Sequence, residues 1–162
     1  MLCTESGVYE ADLLLEEGVI REIGTDLQDS GAEVVDAKGK YVLPGAVDIH
    51  THMDLDVGIA RVIDDFYTGT IAAACGGTTS IVDHMAFGPK DCSLWHQVKE
   101  YHRLADGNAV VDYGFHGVFQ HVNPQVLEEM GEIAKEEGIT SFKVYMTYGY
   151  GLGDGDLMQI LT

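Results

Sequence analysis

Basic residues are scarce in this 162-residue chain: 9 lysines and arginines oppose 27 aspartates and glutamates, and the formal net charge is −18. A surface with this charge repels nucleic acid phosphates and anionic membranes, so we expect neither as a partner. Long apolar runs are also missing, because no run reaches the roughly 18 residues that a membrane-spanning helix needs. These absences leave globular enzymes and binders of small molecules or proteins.

Cysteine is rare as well. Cys3, Cys75 and Cys92 form an odd set without the spacing of a zinc site or a redox pair, so we expect free thiols. The first ten residues, MLCTESGVYE, lack the basic start and the apolar centre of a signal peptide. Both features indicate the cytoplasm.

The first quarter of the chain has the pattern of short strands. Residues 9–24, YEADLLLEEGVIREIG, place apolar runs on either side of Glu17-Gly18, which predicts a hairpin. Residues 33–45, EVVDAKGKYVLPG, predict two more short strands with a turn at Lys38-Gly39. We therefore expect residues 1–43 to be all-β.

After Pro44, predicted strands and helices alternate about every thirty residues, which favours parallel strands joined by right-handed helical crossovers. The predicted strands are 46–52, 78–85, 109–119 and 140–148, and the predicted helices are 64–77, 92–106, 123–138 and 154–162.

This alternation fits either an open doubly wound sheet or a (β/α)₈ barrel. The first strand–helix junction has no G-x-G-x-x-G loop, which counts against a dinucleotide-binding sheet. A barrel needs roughly 200 residues or more, so residues 44–162 would supply only its first half. We expect the chain to be a fragment of a larger protein.

Two histidines, His50 and His52, close the apolar run in VLPGAVDIHTHMDLDVG. Side chains alternate along a strand, so these two imidazoles point the same way. Together they can chelate one divalent metal, and imidazole suits zinc. An exposed strand end with two polar residues is the alternative, because H-x-H alone occurs by chance.

Lys143 lies inside the apolar strand SFKVYMTY. Burial would favour its neutral amine, which can add carbon dioxide to form a carbamate with two metal-binding oxygens. The alternative is a lysine whose stem packs against the strand while its ammonium reaches water.

Three segments in this order and spacing resemble the cyclic-amide branch of the amidohydrolase superfamily, the dihydropyrimidinases and D-hydantoinases. They are PGAVDIHTH, DDFYTGTIAAACGGTTSIVDHM and SFKVYMTY. The wording of IVDHMAFGP, DYGFHGVFQHVN and SFKVYMTY is most similar to the bacterial phenylhydantoinase type. The resemblance covers nearly the whole chain. It implies an α/β fold, with residues 1–43 as part of a small β-sandwich and residues 44–162 as the first half of a metal-dependent hydrolase (β/α)₈ TIM barrel.

The same resemblance implies a centre of two divalent metals, most consistent with zinc. His50 and His52 would bind the more buried metal, and Lys143, carboxylated, would bridge both. The family's remaining ligands, two histidines and an aspartate, would follow Thr162, so the fragment itself is expected to be inactive.

Substrate contacts are implied as well. Tyr148 matches the tyrosine that hydrogen-bonds the substrate and stabilises the oxyanion. Tyr145 and the loop 53–63 match positions that line the pocket for the substrate's exocyclic group.

Further polar residues at the predicted strand ends match no ligand position of the family. Asp83, His84 and His116 are therefore expected to form hydrogen bonds or to pack around the site, and Asp48 is a candidate for supporting His50.

The resemblance implies hydrolysis of hydantoin or dihydropyrimidine rings to N-carbamoyl amino acids, with a small cyclic amide as the substrate and a homo-oligomeric, tetrameric parent. Two alternatives remain open: a non-catalytic dihydropyrimidinase-like protein that acts by assembly, and another cyclic amidohydrolase such as a dihydroorotase or allantoinase.

Overall fold

The computed structural model describes residues 1–147 and 151–162, which form two compact units, Met1–Gly45 and Ala46–Thr162. The first unit contains two antiparallel hairpins. Their strands are β1 (Leu2–Thr4) with β2 (Gly7–Tyr9), and β3 (Asp12–Glu16) with β4 (Val19–Gly24).

The hairpin predicted in residues 9–24 is confirmed as β3 and β4. Its two turn residues both have positive φ, 51° at Glu17 and 79° at Gly18. A two-residue turn with positive φ at both positions matches the right-handed twist of the flanking strands. The β1–β2 hairpin was not predicted, because its strands have only three residues each and carry little alternation.

The two strands predicted in residues 33–45 are wrong. The expected turn is present at Lys38-Gly39, but the only pairing in this segment is a single bridge from Val42 to Leu2. Val34 and Val35 are 86% and 83% exposed, so their apolar pattern is not buried against any described residue. An alternating apolar pattern forms a strand only where a neighbouring strand is free to hydrogen-bond with its backbone.

The second unit alternates strands and helices, and its four strands form one parallel sheet in the order β5-β6-β7-β8. The elements are β5 (Ala46–Thr51), α1 (Phe66–Cys75), β6 (Thr78–His84), α2 (Leu94–Ala105), β7 (Asp112–Val118), α3 (Pro124–Glu136), β8 (Phe142–Lys143) and α4 (Asp154–Leu161). The predicted α/β alternation with parallel strands is confirmed.

Helix starts follow side-chain caps that are visible in the sequence. Asp65, Ser93 and Asn123 accept hydrogen bonds from the backbone of the first turns of α1, α2 and α3. Pro124 occupies the first position of α3, where its missing N–H costs nothing. None of the helices in the described ranges is long and apolar enough to cross a membrane.

Two predicted strands differ from the observed ones. The segment 46–52 was expected to be buried, but Val47 and Ile49 of β5 are 59% and 64% exposed. The reason is that β5 is an edge strand, with β6 as its only neighbour among the described residues. The strand predicted at 140–148 is reduced to Phe142–Lys143, which pair with Gly117 and Val118 of β7.

The core of this unit contains apolar side chains from β6 and β7 together with side chains from helices α1, α2 and α3. At its centre three aromatic rings, Phe66, Tyr101 and Phe115, meet edge to face at centroid distances of 5.8 to 6.3 Å. Such aromatic contacts add to the stabilisation that burial alone provides.

Gly117 of β7 has no side chain, and this leaves room for the Phe142 ring of β8. A Cβ atom at this position would lie 2.4 Å from Cδ1 of Phe142, whereas a Cβ at Gly114 of the same strand would meet nothing within 4 Å. We expect Gly117→Ala to lower the free energy of unfolding by about 1–3 kcal/mol, because the added methyl overpacks the strand pair. Urea unfolding measures this change.

Gly114→Ala is the matched control and should leave stability unchanged or slightly raised. Equal effects from the two substitutions would contradict a close approach of Phe142 at Gly117.

Candidate active site

His50 and His52 lie at the carboxyl end of β5, and their rings face the same space with centroids 5.2 Å apart. The ring nitrogen Nδ1 of His52 is buried and has no hydrogen-bond partner among the described residues. Burial is the main cause that lowers the pKa of His52, and the positive charge of Lys143 adds to it. A neutral imidazole with a free lone pair is the form that binds a metal ion.

A third imidazole, His84 at the end of β6, joins this pair. Its ring centroid lies 4.2 Å from that of His50 and 5.2 Å from that of His52, and its side chain is almost fully buried. Burial, and then the nearby charge of Lys143, lower the pKa of His84 to about 4. His84 is therefore neutral at physiological pH, and its Nδ1 also lacks a partner among the described residues.

Lys143 reaches the same region from β8. It is half-buried, and its charge acts on both His52 and His84. Its Nζ lies 5.0 Å from the centre of the Tyr145 ring, a distance at which the π-face attracts an ammonium. The structure thus brings three predicted residues of β5 and β8, His50, His52 and Lys143, into one region, with Tyr145 beside the lysine.

Asp83 on β6 fixes the chain on both sides of His52 from behind the sheet. Its side chain is fully buried, and Oδ2 accepts hydrogen bonds from Thr51 Oγ1 at 2.7 Å and from the Met53 N–H at 2.8 Å. Because Thr51 and Met53 flank His52, this carboxylate restricts the backbone that carries the imidazole. The expectation that Asp83 supports the site by hydrogen bonding agrees with this geometry.

The described side chains supply some of the ligands that a metal ion needs, but not a full set. His50 and His52 offer two imidazoles in one place, and the orphaned Nδ1 of His52 is a buried polar atom that a cation would satisfy. Among the described residues no group of three or more histidine, cysteine, aspartate or glutamate side chains is arranged to hold a metal. Among the described residues, Lys143 in carboxylated form is the candidate for a third ligand.

Only some of the residues predicted to contact the substrate lie in the described part of the structure. Tyr148 lies outside the described residues. In the loop 53–63, Asp54 is held by Arg61 at 2.6 Å and by the Phe66 N–H at 3.2 Å. Ile59 and Ile63 of the same loop are 97% and 94% exposed, so these apolar side chains are not packed against other described residues.

For His84 and His116 the sequence predicts hydrogen bonding or packing around the site, and the contacts of both rings agree with this. Nothing in their local sequence separates them from packing residues, and they match no ligand position in the family. The sheet register supplies the missing signal, because it pairs His84 of β6 directly with His116 of β7. His84 therefore lies beside the imidazole of His50, and His116 lies beside His84.

Curated relatives resemble the chain along almost its whole length. D-phenylhydantoinases from Escherichia coli O1:K1 and from strain ED1a are each 53% identical over 156 residues, which cover 96% of this chain but 34% of the relative. No protein-family model matches the chain. The chain spans about a third of the length of the curated relatives it matches.

Solved structures also resemble this chain along almost its whole length. A D-hydantoinase is 46% identical with a TM-score of 0.92, over 96% of this chain and 34% of that one. The dihydropyrimidinase from Brevibacillus agri NCHU1002 is 45% identical with a TM-score of 0.94, over 99% and 35% of the two chains. The resemblance to the D-hydantoinase and dihydropyrimidinase family is confirmed. The parallel α/β sheet of this chain therefore has its counterpart in hydantoinase structures.

Asp83 also predicts a pH dependence of stability. Burial raises the pKa of its carboxyl group from 3.8 to about 6, against the lowering effect of its two hydrogen bonds. Between about pH 4 and pH 6 the unfolded chain loses this proton before the folded chain does, so stability falls as the pH rises. A shift of about two pKa units corresponds to about 3 kcal/mol.

Asp83→Asn keeps an acceptor for Thr51 and Met53 but removes the charge. We expect the free energy of unfolding of the metal-free wild type to fall by up to about 3 kcal/mol relative to this variant across that pH range. Urea unfolding at a series of pH values measures the difference. Parallel curves for the two proteins would show that Asp83 does not titrate as described.

Proposed function

We propose that the protein to which this chain belongs hydrolyses the amide bond of a five- or six-membered cyclic amide, opening hydantoin or dihydropyrimidine rings to N-carbamoyl amino acids. The observation that carries the proposal is the convergence of His50 and His52 with Lys143 at one end of a parallel sheet. The names of relatives that are 53% identical, D-phenylhydantoinases, support the same reaction.

In this proposal the protein holds two divalent metal ions, with zinc the ion that best suits imidazole ligands. His50 and His52 would bind one ion, and a carbamate on Lys143 would bridge both. The neutral amine of Lys143 would add carbon dioxide and lose a proton to give the carbamate. When bound, the metal pair would activate water and polarise the ring carbonyl.

The protein's own residues would then position the substrate and keep the site ordered. Tyr148 would donate its hydroxyl proton in a hydrogen bond to the oxygen that becomes negative as the ring carbonyl is attacked. Tyr145, beside Lys143, and the apolar side chains of the loop 53–63 would contact the substituent that projects from the ring. Asp83 would hold the backbone on both sides of His52 so that the ring keeps its direction.

The finer architecture belongs to the same proposal. Residues 44–162 would form the first half of a (β/α)₈ TIM barrel and residues 1–43 part of a β-sandwich. Since no more than two imidazoles and one lysine of the metal centre would come from this chain, the chain alone would be inactive. The cytoplasmic location and the lack of nucleic acid or membrane partners rest on the composition of the chain, and the tetrameric parent rests on the family resemblance. All of these stay predictions.

The alternatives raised by the sequence gain no support from the comparisons. The relatives reported above are named for hydantoinase or dihydropyrimidinase activity, and none is named as an assembly protein, a dihydroorotase or an allantoinase. The chain also contains His50, His52 and Lys143, the residues on which hydrolysis depends in this proposal.

The decisive experiment measures metal content and ring opening in the full-length protein. We expect about two zinc ions per subunit and turnover of hydantoin or dihydrouracil in the wild type. Lys143→Ala should lose the bridged metal pair and at least a hundredfold in turnover, since it removes the proposed bridging ligand.

Lys135→Ala is the matched control, because Lys135 is an exposed lysine in the last turn of α3. It should leave metal content and turnover unchanged. Full metal content and full activity in Lys143→Ala would remove the bridging role, and a wild type that opens neither ring would overturn the proposed reaction.

A further inference from the structure

The β5–β6 ladder contains a register shift that includes His50, the first of the two candidate ligands. Asp48 pairs with Ile81 and Thr51 pairs with Asp83, so β5 advances three residues where β6 advances two. Ile49 and His50 lie inside this shift. A bulge of this kind bends a strand and redirects a side chain, and it is common next to active sites.

Two side chains bind the peptide unit between Ile49 and His50. The Ile49 carbonyl oxygen accepts a hydrogen bond from Nε2 of His116 at 2.9 Å, and the His50 N–H donates to Oδ1 of Asp48 at 3.1 Å. Both polar groups of this peptide are therefore satisfied by side chains. The orientation of this peptide determines where the His50 side chain leaves the backbone.

His116 binds a second strand segment with its other ring nitrogen. Nδ1 lies within hydrogen-bond distance of Oγ of Ser141, two residues before Lys143. A carbonyl oxygen can only accept, so Nε2 must carry a proton, and in the neutral ring Nδ1 then accepts from the Ser141 hydroxyl. One imidazole thus links the backbone before His50 to the segment that leads into Lys143.

The His116 ring lies between His84 and the segment that carries Ser141. His84 lies between the ligand pair and His116, with its ring centroid 4.2 Å from that of His50 and 4.5 Å from that of His116. The Gly117 N–H also donates to the Ser141 carbonyl oxygen at 3.0 Å, which fixes β8 beside the strand that carries His116. The His84 ring and the pairing of β7 with β8 therefore flank His116 on two sides.

We propose that His116 is a positioning residue that sets the spacing between the metal-binding ends of β5 and β8 by bridging the Ile49 carbonyl and the Ser141 hydroxyl. It acts through His50 and Lys143 and does not itself bind metal or substrate. The inference deepens the proposed metal centre and rests on it.

The test replaces His116 in the full-length protein with Leu, Gln and Asn. Leucine has a similar size and no hydrogen bonds. Glutamine places an amide nitrogen near the position of Nε2 and can still donate to the Ile49 carbonyl, whereas asparagine places one near Nδ1 and cannot. Zinc affinity, measured by competition with a chelator, should fall about 10- to 100-fold in the Leu and Asn variants and stay within about threefold of wild type in Gln.

Equal losses in the Gln and Asn variants, or wild-type affinity in the Leu variant, would overturn the proposal. If the Leu variant does not fold, the comparison of Gln with Asn decides alone. Ser141→Ala should cause a smaller loss than His116→Leu, because it removes one of the two contacts, and a larger loss would also contradict the proposal.

A crystal structure of the metal-free Asn variant separates this proposal from the proposed function. The Ile49–His50 peptide should be rotated relative to the metal-free wild type, with the rings of His50 and His84 moved apart. An unchanged peptide would overturn the positioning role whether or not the wild type binds zinc. A wild type that binds no zinc, together with a rotated peptide in the variant, would overturn the metal centre but leave the role of His116 standing.

Discussion

Parallel pairing of four strands is the constraint on which the candidate site depends. In a parallel sheet the carboxyl ends of all strands meet at one edge, so residues far apart in sequence come together there. His50 and His52 of β5 meet His84 of β6, and Lys143 of β8 approaches them from the other side. The helices matter to the site because their buried faces hold this pairing in place.

The local elements were predictable because their signals are local. Helix starts carry their own caps at Asp65, Ser93 and Asn123, and the β3–β4 hairpin carries a Glu17-Gly18 turn. Each of these depends on residues within one turn of the chain. The alternation of strand and helix then predicted the parallel sheet with no further information.

The errors arose where structure depends on distant partners. The strands expected in residues 33–45 did not form a ladder, and β5 is exposed where a buried strand was expected. Burial and pairing are set by neighbouring strands, and a single sequence does not show which edge is occupied. In the same way, the sequence placed His84 and His116 at strand ends near His50 and His52, but the direct pairing of His84 with His116 is seen only in the sheet register.

We propose above that the ends of β5 and β8 form a metal centre built on a modified lysine. The most direct measurement is a high-resolution crystal structure of the full-length protein grown with zinc and bicarbonate, with anomalous data at the zinc edge. The account predicts zinc at about 2.0–2.1 Å from ring nitrogens of His50 and His52, and carboxylate density on Nζ of Lys143 in contact with the metal. An unmodified Lys143 with no anomalous peak near the two imidazoles would contradict it.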